Sequence, residues 1–143
     1  MPILPAGNTI LELQEVQRAL RMESWDAVRF DVTQAGGYTA ARKLGTIAEA
    51  FGLPVEVQSW GFSLAQAANL HLDLAFKGTG YFELPVPYEA HEYAVRNPFR
   101  VQSDGCVSAP SGSGLGVDVD WTSLSNARIG SFTCSSRHPD PRR

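Results

Sequence analysis

Residues 27–58 run Ala27-Val28-Arg29-Phe30-Asp31-Val32-Thr33-Gln34-Ala35-Gly36-Gly37, then Tyr38 to Phe51, then Gly52-Leu53-Pro54-Val55-Glu56-Val57-Gln58. The period changes twice within this stretch. Ala27 to Phe30 is a short β-leaning run that ends on Asp31. Gly36-Gly37 breaks the chain, and Tyr38, Ala41, Leu44, Ile47 and Phe51 then recur at helical spacing. Gly52 followed by Pro54 stops that helix, and Pro54-Val55-Glu56-Val57 reads as the next strand. A strand, a helix and a strand in so short a length call for parallel strands joined by a crossover.

The same rhythm continues on both sides. Upstream, Ile3 to Ala6 is a short apolar run read as a strand. Thr9-Ile10-Leu11-Glu12 fits a capping box, and Ile10, Leu13, Val16 and Leu20 follow as an apolar helical stripe. Downstream, Ser63-Leu64-Ala65-Gln66 repeats the capping logic, and Leu64, Ala67, Leu70 and Leu74 make a third stripe. Gly78-Thr79-Gly80 then leads into a fourth strand at Tyr81-Phe82. The pattern predicts three strand–helix units and a closing strand. Asn8, Asp31, Gln58 and Glu83 stand just past the four strands, at separations of 23, 27 and 25 residues. In a parallel sheet all four share the C-terminal edge, which carries the active site in barrels and open α/β sheets alike.

Composition sets the outer limits. The chain has 143 residues, a formal net charge of −3, 43% hydrophobic and 19% charged residues, which excludes wholesale disorder and a collagen-like chain. No run approaches the ~18 apolar residues of a membrane span, and Met1 to Gly7 lacks the layout of a signal peptide. A mildly acidic chain without a basic cluster is not a nucleic-acid binder. Cys106 and Cys134 are too few and too far apart for a disulfide scaffold or a zinc site, and read as two unrelated thiols in a reducing cytoplasm. His71, His91 and His138 show no metal-ligand spacing, and His71 reads as a packed helix residue.

After Glu83 the rhythm stops. Pro85 and Pro87 discourage an immediate helix. Phe99 to Gln102, a turn at Ser103-Asp104-Gly105, and Cys106 to Ser108 suggest a β-hairpin. Gly112, Gly114 and Gly116 match neither phosphate-loop pattern and read as a turn-rich connector. No Gly-x-Ser-x-Gly elbow supports a serine hydrolase. Trp121 to Ala127 reads as a short helix. The expected division is a half-barrel of βα units over 1–98, a hairpin and loop segment over 99–130, and a disordered tail over 131–143.

Singly, Asp31 fits a turn or helix cap, Glu83 a solvated acid and Asn8 a turn former. Together, four acid or amide side chains at one sheet edge read as the lining of a polar site. Carboxylate and amide oxygens suit a hard cation such as Mg²⁺.

The ordered set Ala6-Gly7-Asn8, Asp31-Val32-Thr33-Gln34-Ala35-Gly36-Gly37, Phe51-Gly52-Leu53-Pro54, Phe82-Glu83 and Gly114-Leu115-Gly116-Val117 resembles the C-terminal barrel part of the mandelate racemase/muconate lactonising branch of the enolase superfamily. The match runs from about Pro2 to Ala127. The resemblance implies an α/β fold, the C-terminal half of a (β/α)₇β TIM-type barrel holding about strands five to eight. It also implies removal of the proton α to a carboxylate, with Mg²⁺ stabilising the enediolate. Asn8 falls at the third metal ligand, usually Glu; Asn there is known in the glucarate dehydratase group. Asp31 matches the aspartate of the Asp–His dyad, where the muconate-lactonising group has Lys. Glu83 matches the strand-eight glutamate near the substrate carboxylate.

Gln58 departs from the pattern, standing where the dyad histidine belongs. Glutamine neither takes nor gives a proton near neutral pH, which argues against a racemase or epimerase. A dehydratase with its base elsewhere could still use Gln58 to bind a substrate hydroxyl, and Trp60 would lie near the rim. The capping domain, the Lys-x-Lys and two acidic metal ligands have no counterpart in these residues. The expectation is therefore a fragment of an acid-sugar dehydratase (hydro-lyase) that is inactive as this isolated chain and does not hold Mg²⁺ tightly by itself. Its substrate would be a small carboxylate, and its partner a second copy or a complementing N-terminal half. A non-catalytic truncated or split-gene barrel fragment that assembles with another chain is the rival reading, with a racemase or epimerase of the same family beside it, and a small independent α/β binding domain is a further one.

Overall fold

A computed structural model of the chain describes residues 1–76 and 80–131. Gly78, Thr79, Cys134, His138 and nearly all of the expected tail lie outside the described residues. Two three-residue strands, β1 (Val28–Phe30) and β2 (Val55–Val57), pair in parallel, with Val28 opposite Val55, Arg29 opposite Glu56 and Phe30 opposite Val57. Strand geometry sends alternate side chains to opposite faces. Val28, Phe30, Val55 and Val57 are buried against the helices, while the half-buried Arg29 and Glu56 share the other face. A continuous apolar core joins these four to Val16 and Leu20 of one helix and Ala41, Leu44 and Ala48 of the next.

The helices are α1 (Leu13–Arg21), α2 (Tyr38–Ala50) and α3 (Ser63–Asp73). The expected stop of α2 is present in detail. Gly52 takes φ +71°, its N–H donates to the Glu49 carbonyl at 3.0 Å, and Leu53 N–H donates to the Ala48 carbonyl at 3.0 Å. This pair of bonds satisfies two carbonyls that the helix leaves unpaired.

Both expected capping boxes are absent. The Thr9 hydroxyl turns back to the Ala6 carbonyl at 3.2 Å, and α1 begins four residues later, after Glu12, without a side-chain cap. At α3 the cap position is Phe62, and the Ser63 hydroxyl donates to the His91 carbonyl at 3.3 Å. The Thr9 hydroxyl is taken by a competing local turn and the Ser63 hydroxyl by a tertiary carbonyl, so neither caps its helix. The stripe expected on α3 also needs correction. Leu64 and Leu74 are exposed, whereas Ser63, Gln66, Ala67, Ala68, Asn69, Leu70 and Leu72 are buried. α3 is covered on two sides, by the sheet and by the C-terminal segment, so its polar residues are buried as well. His71 is half-buried, with Nε2 at 3.2 Å from the Leu115 carbonyl.

Two of the four expected strands form. Residues 3–7 run beside β1 through two backbone bonds, Asp26 N–H to the Ile3 carbonyl (2.8 Å) and Asp31 N–H to the Gly7 carbonyl (3.1 Å). Pro2 and Pro5 have no N–H to give to a ladder. Residues 81–84 lie beside the end of β2 without a ladder, followed at once by Pro85. The expected hairpin at 99–108 reduces to a turn. Gln102 N–H donates to the Cys106 carbonyl at 2.8 Å, and no strands flank it. The C-terminal segment closes through an antiparallel bridge between Val95 and Val119. The expected short helix is present as α4 (Trp121–Asn126), capped by Asp120, which accepts from Thr122 N–H and Ser123 N–H.

Candidate functional site

The site is built from hydrogen bonds, two between backbone groups and one from backbone to a carboxylate, that tie four chain segments together at the C-terminal end of the two strands. Asp31 N–H reaches the Gly7 carbonyl, Gln58 N–H reaches the Phe30 carbonyl at 2.9 Å, and Ser59 N–H donates to Glu83 Oε2 at 2.9 Å. Asn8 follows Gly7 directly, so Asn8, Asp31, Gln58 and Glu83 stand at the same end of the sheet.

The four side chains differ in what they do there. Asn8 is exposed. Asp31 is fully buried, and its Oδ1 accepts from Thr33 N–H (2.7 Å), Thr33 Oγ1 (2.7 Å) and Asn69 Nδ2 (3.1 Å). Asn69 in turn accepts from Val32 N–H at 2.8 Å, so α3 locks the loop after β1. Gly37, with φ +92° and its N–H on the Val32 carbonyl at 2.8 Å, closes that loop in a conformation costly for other residues. Asp31 thus does the work of a turn cap through one oxygen, while Oδ2 is buried without a partner.

Gln58 lies against Gly7. A Cβ on residue 7 would come within 2.5 Å of Gln58 Oε1 and 2.8 Å of Gln58 Cβ, so only glycine leaves room for the amide. Glu83 is held by two donors on Oε2, Ser59 N–H and Arg29 Nη2, the latter at 3.1 Å. Arg29 Nε also stands 3.9 Å from Glu56 Oε1.

Arg29, Ser59 and Asn69 belong to this cluster and were not singled out from the sequence. The signals were present but weak: a charged residue between Val28 and Phe30 in a strand, and an amide within the apolar run of α3. Arg29 Nε, Asp31 Oδ2, Gln58 Oε1 and Ser59 Oγ are all buried polar atoms without a hydrogen-bond partner among the described residues. Such atoms are uncommon in folded chains and mark places where a ligand or water is accommodated. Trp60 is exposed at the rim, its ring edge-on to His91 at 5.3 Å. An apolar cavity of about 270 Å³, with Phe62, Leu64, Tyr93, Val95, Val119 and Leu124 in its lining, carries no charged group for carboxylate chemistry.

The donor set for a metal is thin. Among the described residues no three His, Cys, Asp or Glu side chains gather closely enough to hold a cation. Mg²⁺ demands near-octahedral oxygen coordination. Asn8 offers one amide oxygen, and Asp31 and Glu83 each have an oxygen already engaged by donors. The described residues do not by themselves fit a Mg²⁺ ion.

Comparison with known proteins identifies the family. The model of the enolase C-terminal domain-like family matches residues 2–123. This chain belongs to that family. A D-galactonate dehydratase family member from Paenibacillus is 30% identical over 120 residues, which covers 80% of this chain and 28% of the relative. A 3,6-anhydro-α-L-galactonate cycloisomerase from Streptomyces coelicolor is 29% identical over 131 residues, covering 89% of this chain and 33% of the relative. A solved structure of the mandelate racemase/muconate lactonizing type from Pseudovibrio superposes with a TM-score of 0.88 at 42% identity, covering 92% of this chain and 35% of that one. Another of that type, from Roseovarius nubinhibens, was solved with magnesium and is 28% identical with a TM-score of 0.67, covering 87% of this chain and 33% of that one. The enolase C-terminal domain-like chain therefore spans about a third of the length of these relatives. Among its described residues no helix is long and apolar enough to cross a membrane.

Proposed function

We propose that this chain supplies one side of the active site of an acid-sugar dehydratase, a Mg²⁺-dependent enzyme that removes the proton α to a carboxylate, within a barrel of which it forms the C-terminal half. In that reading Asn8 contributes an oxygen toward the metal in a site completed from outside this chain. Asp31 and Gln58 face the substrate, and Glu83 orients its carboxylate end. The observation that carries the reading is the gathering of these residues at one sheet edge, where four buried polar atoms have no hydrogen-bond partner among the described residues. The named activities of the Paenibacillus and Streptomyces relatives point to six-carbon sugar acids as substrates.

Gln58 favours one-base elimination over racemisation, because an amide cannot serve as the second base. A cycloisomerase on an anhydro sugar acid or a sugar-acid lactone is the second reading, favoured by two relatives named as cycloisomerases, from Streptomyces coelicolor and Agrobacterium fabrum. As the residues described here do not hold Mg²⁺ on their own, the isolated chain binds substrate weakly and turns none over.

The test titrates the pure 143-residue chain with D-galactonate in Mg²⁺-containing buffer, followed by amide NMR, beside an assay for keto-acid product. Perturbed amides at residues 31, 58 and 59 without product are the expected result. Product formation would show that the chain is active alone, and undisturbed amides at millimolar ligand would refute the substrate class.

A further inference from the structure

Arg29 is the centre of the strand-edge cluster. Its side chain leaves the middle of β1 on the face opposite the core, beside Glu56 on β2, and ends 3.1 Å from Glu83 Oε2. Ser59 N–H reaches the same oxygen at 2.9 Å. Both donors therefore converge on Oε2, and among the described residues no hydrogen bond reaches Oε1. Gln58 adds an unpartnered acceptor, Oε1, next to Gly7, and a Cβ on Gly7 would lie 3.2 Å from Arg29 Cγ. Arg29 Nε is buried without a hydrogen bond and faces Glu56 Oε1 at 3.9 Å. Two acceptor oxygens, Glu83 Oε1 and Gln58 Oε1, match hydroxyl groups, which can donate to both.

We propose that Arg29 is a positioning residue: it holds Glu83 by Oε2, so that Glu83 Oε1 and Gln58 Oε1 together receive hydroxyl groups next to the carboxylate end of a polyhydroxylated carboxylate. The proposal rests on the acid-sugar reading for its ligand but not for the Arg29–Glu83 link, which has its own signature. A backbone N–H bonded to a carboxylate fixed by a guanidinium is a charge-assisted donor, and its proton resonance lies downfield for that reason.

The experiment records the Ser59 amide proton in the ligand-free full chain and in Arg29→Met, Arg29→Lys and Glu83→Gln, followed by D-galactonate titration of each. Lysine keeps the charge and loses the fork, and glutamine keeps the shape of Glu83 and loses its charge. The Ser59 signal moves upfield in Arg29→Met and Glu83→Gln and returns part-way in Arg29→Lys, while the Val28 and Val55 amides stay in place. Galactonate binding weakens ~10-fold or more in Arg29→Met, the loss of a hydrogen bond to a charged group, and recovers in part in Arg29→Lys. An unmoved Ser59 amide in Arg29→Met and Glu83→Gln overturns the positioning role. A moved Ser59 amide with unchanged galactonate affinity overturns the presentation of Oε1 to ligand. If the wild-type chain binds no galactonate, the substrate reading fails, and the Ser59 signal still decides whether Arg29 holds Glu83.

Discussion

Gly7 shows how much a single residue decides at this edge. Its carbonyl receives Asp31 N–H, and its missing side chain leaves room for Gln58. Gly7→Ala would place a methyl 2.8 Å from Gln58 Cβ, an atom that moves only if β2 moves. The expected cost is about 1–3 kcal/mol, typical of overpacking, read from the midpoint of urea unfolding. The substitution should also displace the Gln58 amide in NMR spectra. A loss below about 0.5 kcal/mol would show that the edge is looser than this packing implies. A glycine required by a neighbour 51 positions away carries no local signal, so the need for Gly7 is invisible in the sequence. Asp31 is the converse. Its local role, as a cap on the Thr33 amide and hydroxyl, is the kind of role its sequence context already suggested; its burial under Asn69 was not.

Helices carry the next layer of argument. In α2, Gly45 is buried where the Phe76 ring packs directly against the helix backbone, and a Cβ there would overlap the ring. Alanine normally favours a helix over glycine by about 1 kcal/mol. Here Gly45→Ala should instead destabilise the chain by about 1–3 kcal/mol, and a gain in thermal midpoint would contradict the packing. At the end of α3, burial first and the Glu56 carboxylate second push the Asp73 carboxyl above its usual value, and its Oδ1 is buried without a partner. The sign follows from linkage: an acid whose folded value is raised contributes stability that is present below its unfolded value and is lost as pH rises through the folded one. Asp73 also sits at a helix C-terminus, where negative charge is unfavourable. Asp73→Asn should therefore gain about 0.3–1 kcal/mol near neutral pH and nothing near pH ~3. Urea unfolding across that range checks it, and a gain independent of pH would assign the effect to something other than ionisation. The apolar stripe of α2 was legible because it faces one neighbour, the sheet. That of α3 is not legible in the same way, because a second neighbour, the chain after residue 84, covers its other side.

At the scale of the whole molecule, the chain has a main core around β1, β2, α1 and α2 and a smaller one around Ala67, Leu70 and Phe99. Leu115 packs against both, and α3 contributes to each. A shared helix and a bridging residue leave no seam along which one core could melt first. Unfolding monitored by tryptophan fluorescence and by far-ultraviolet circular dichroism should give coincident single transitions; separated transitions would show two units. The sheet itself is small. Two paired strands are seldom independently stable, so the helices supply most of what holds it.

By itself the sequence determined the order of strands and helices from residue 27 to residue 74, the stop of α2, the family, and the polar residues Asp31 and Gln58 just past β1 and β2. These are local or evenly spaced features: hydrophobic period, turn residues, and motifs read one segment at a time. Only the tertiary structure decided that residues 3–7 and 81–84 lie beside the sheet without completing it, that Arg29 grips Glu83, and that Asn69 secures Asp31. Each of those depends on contacts between residues 20 to 60 positions apart. In such contacts the donor a side chain finds, and not its type or spacing, sets what it does.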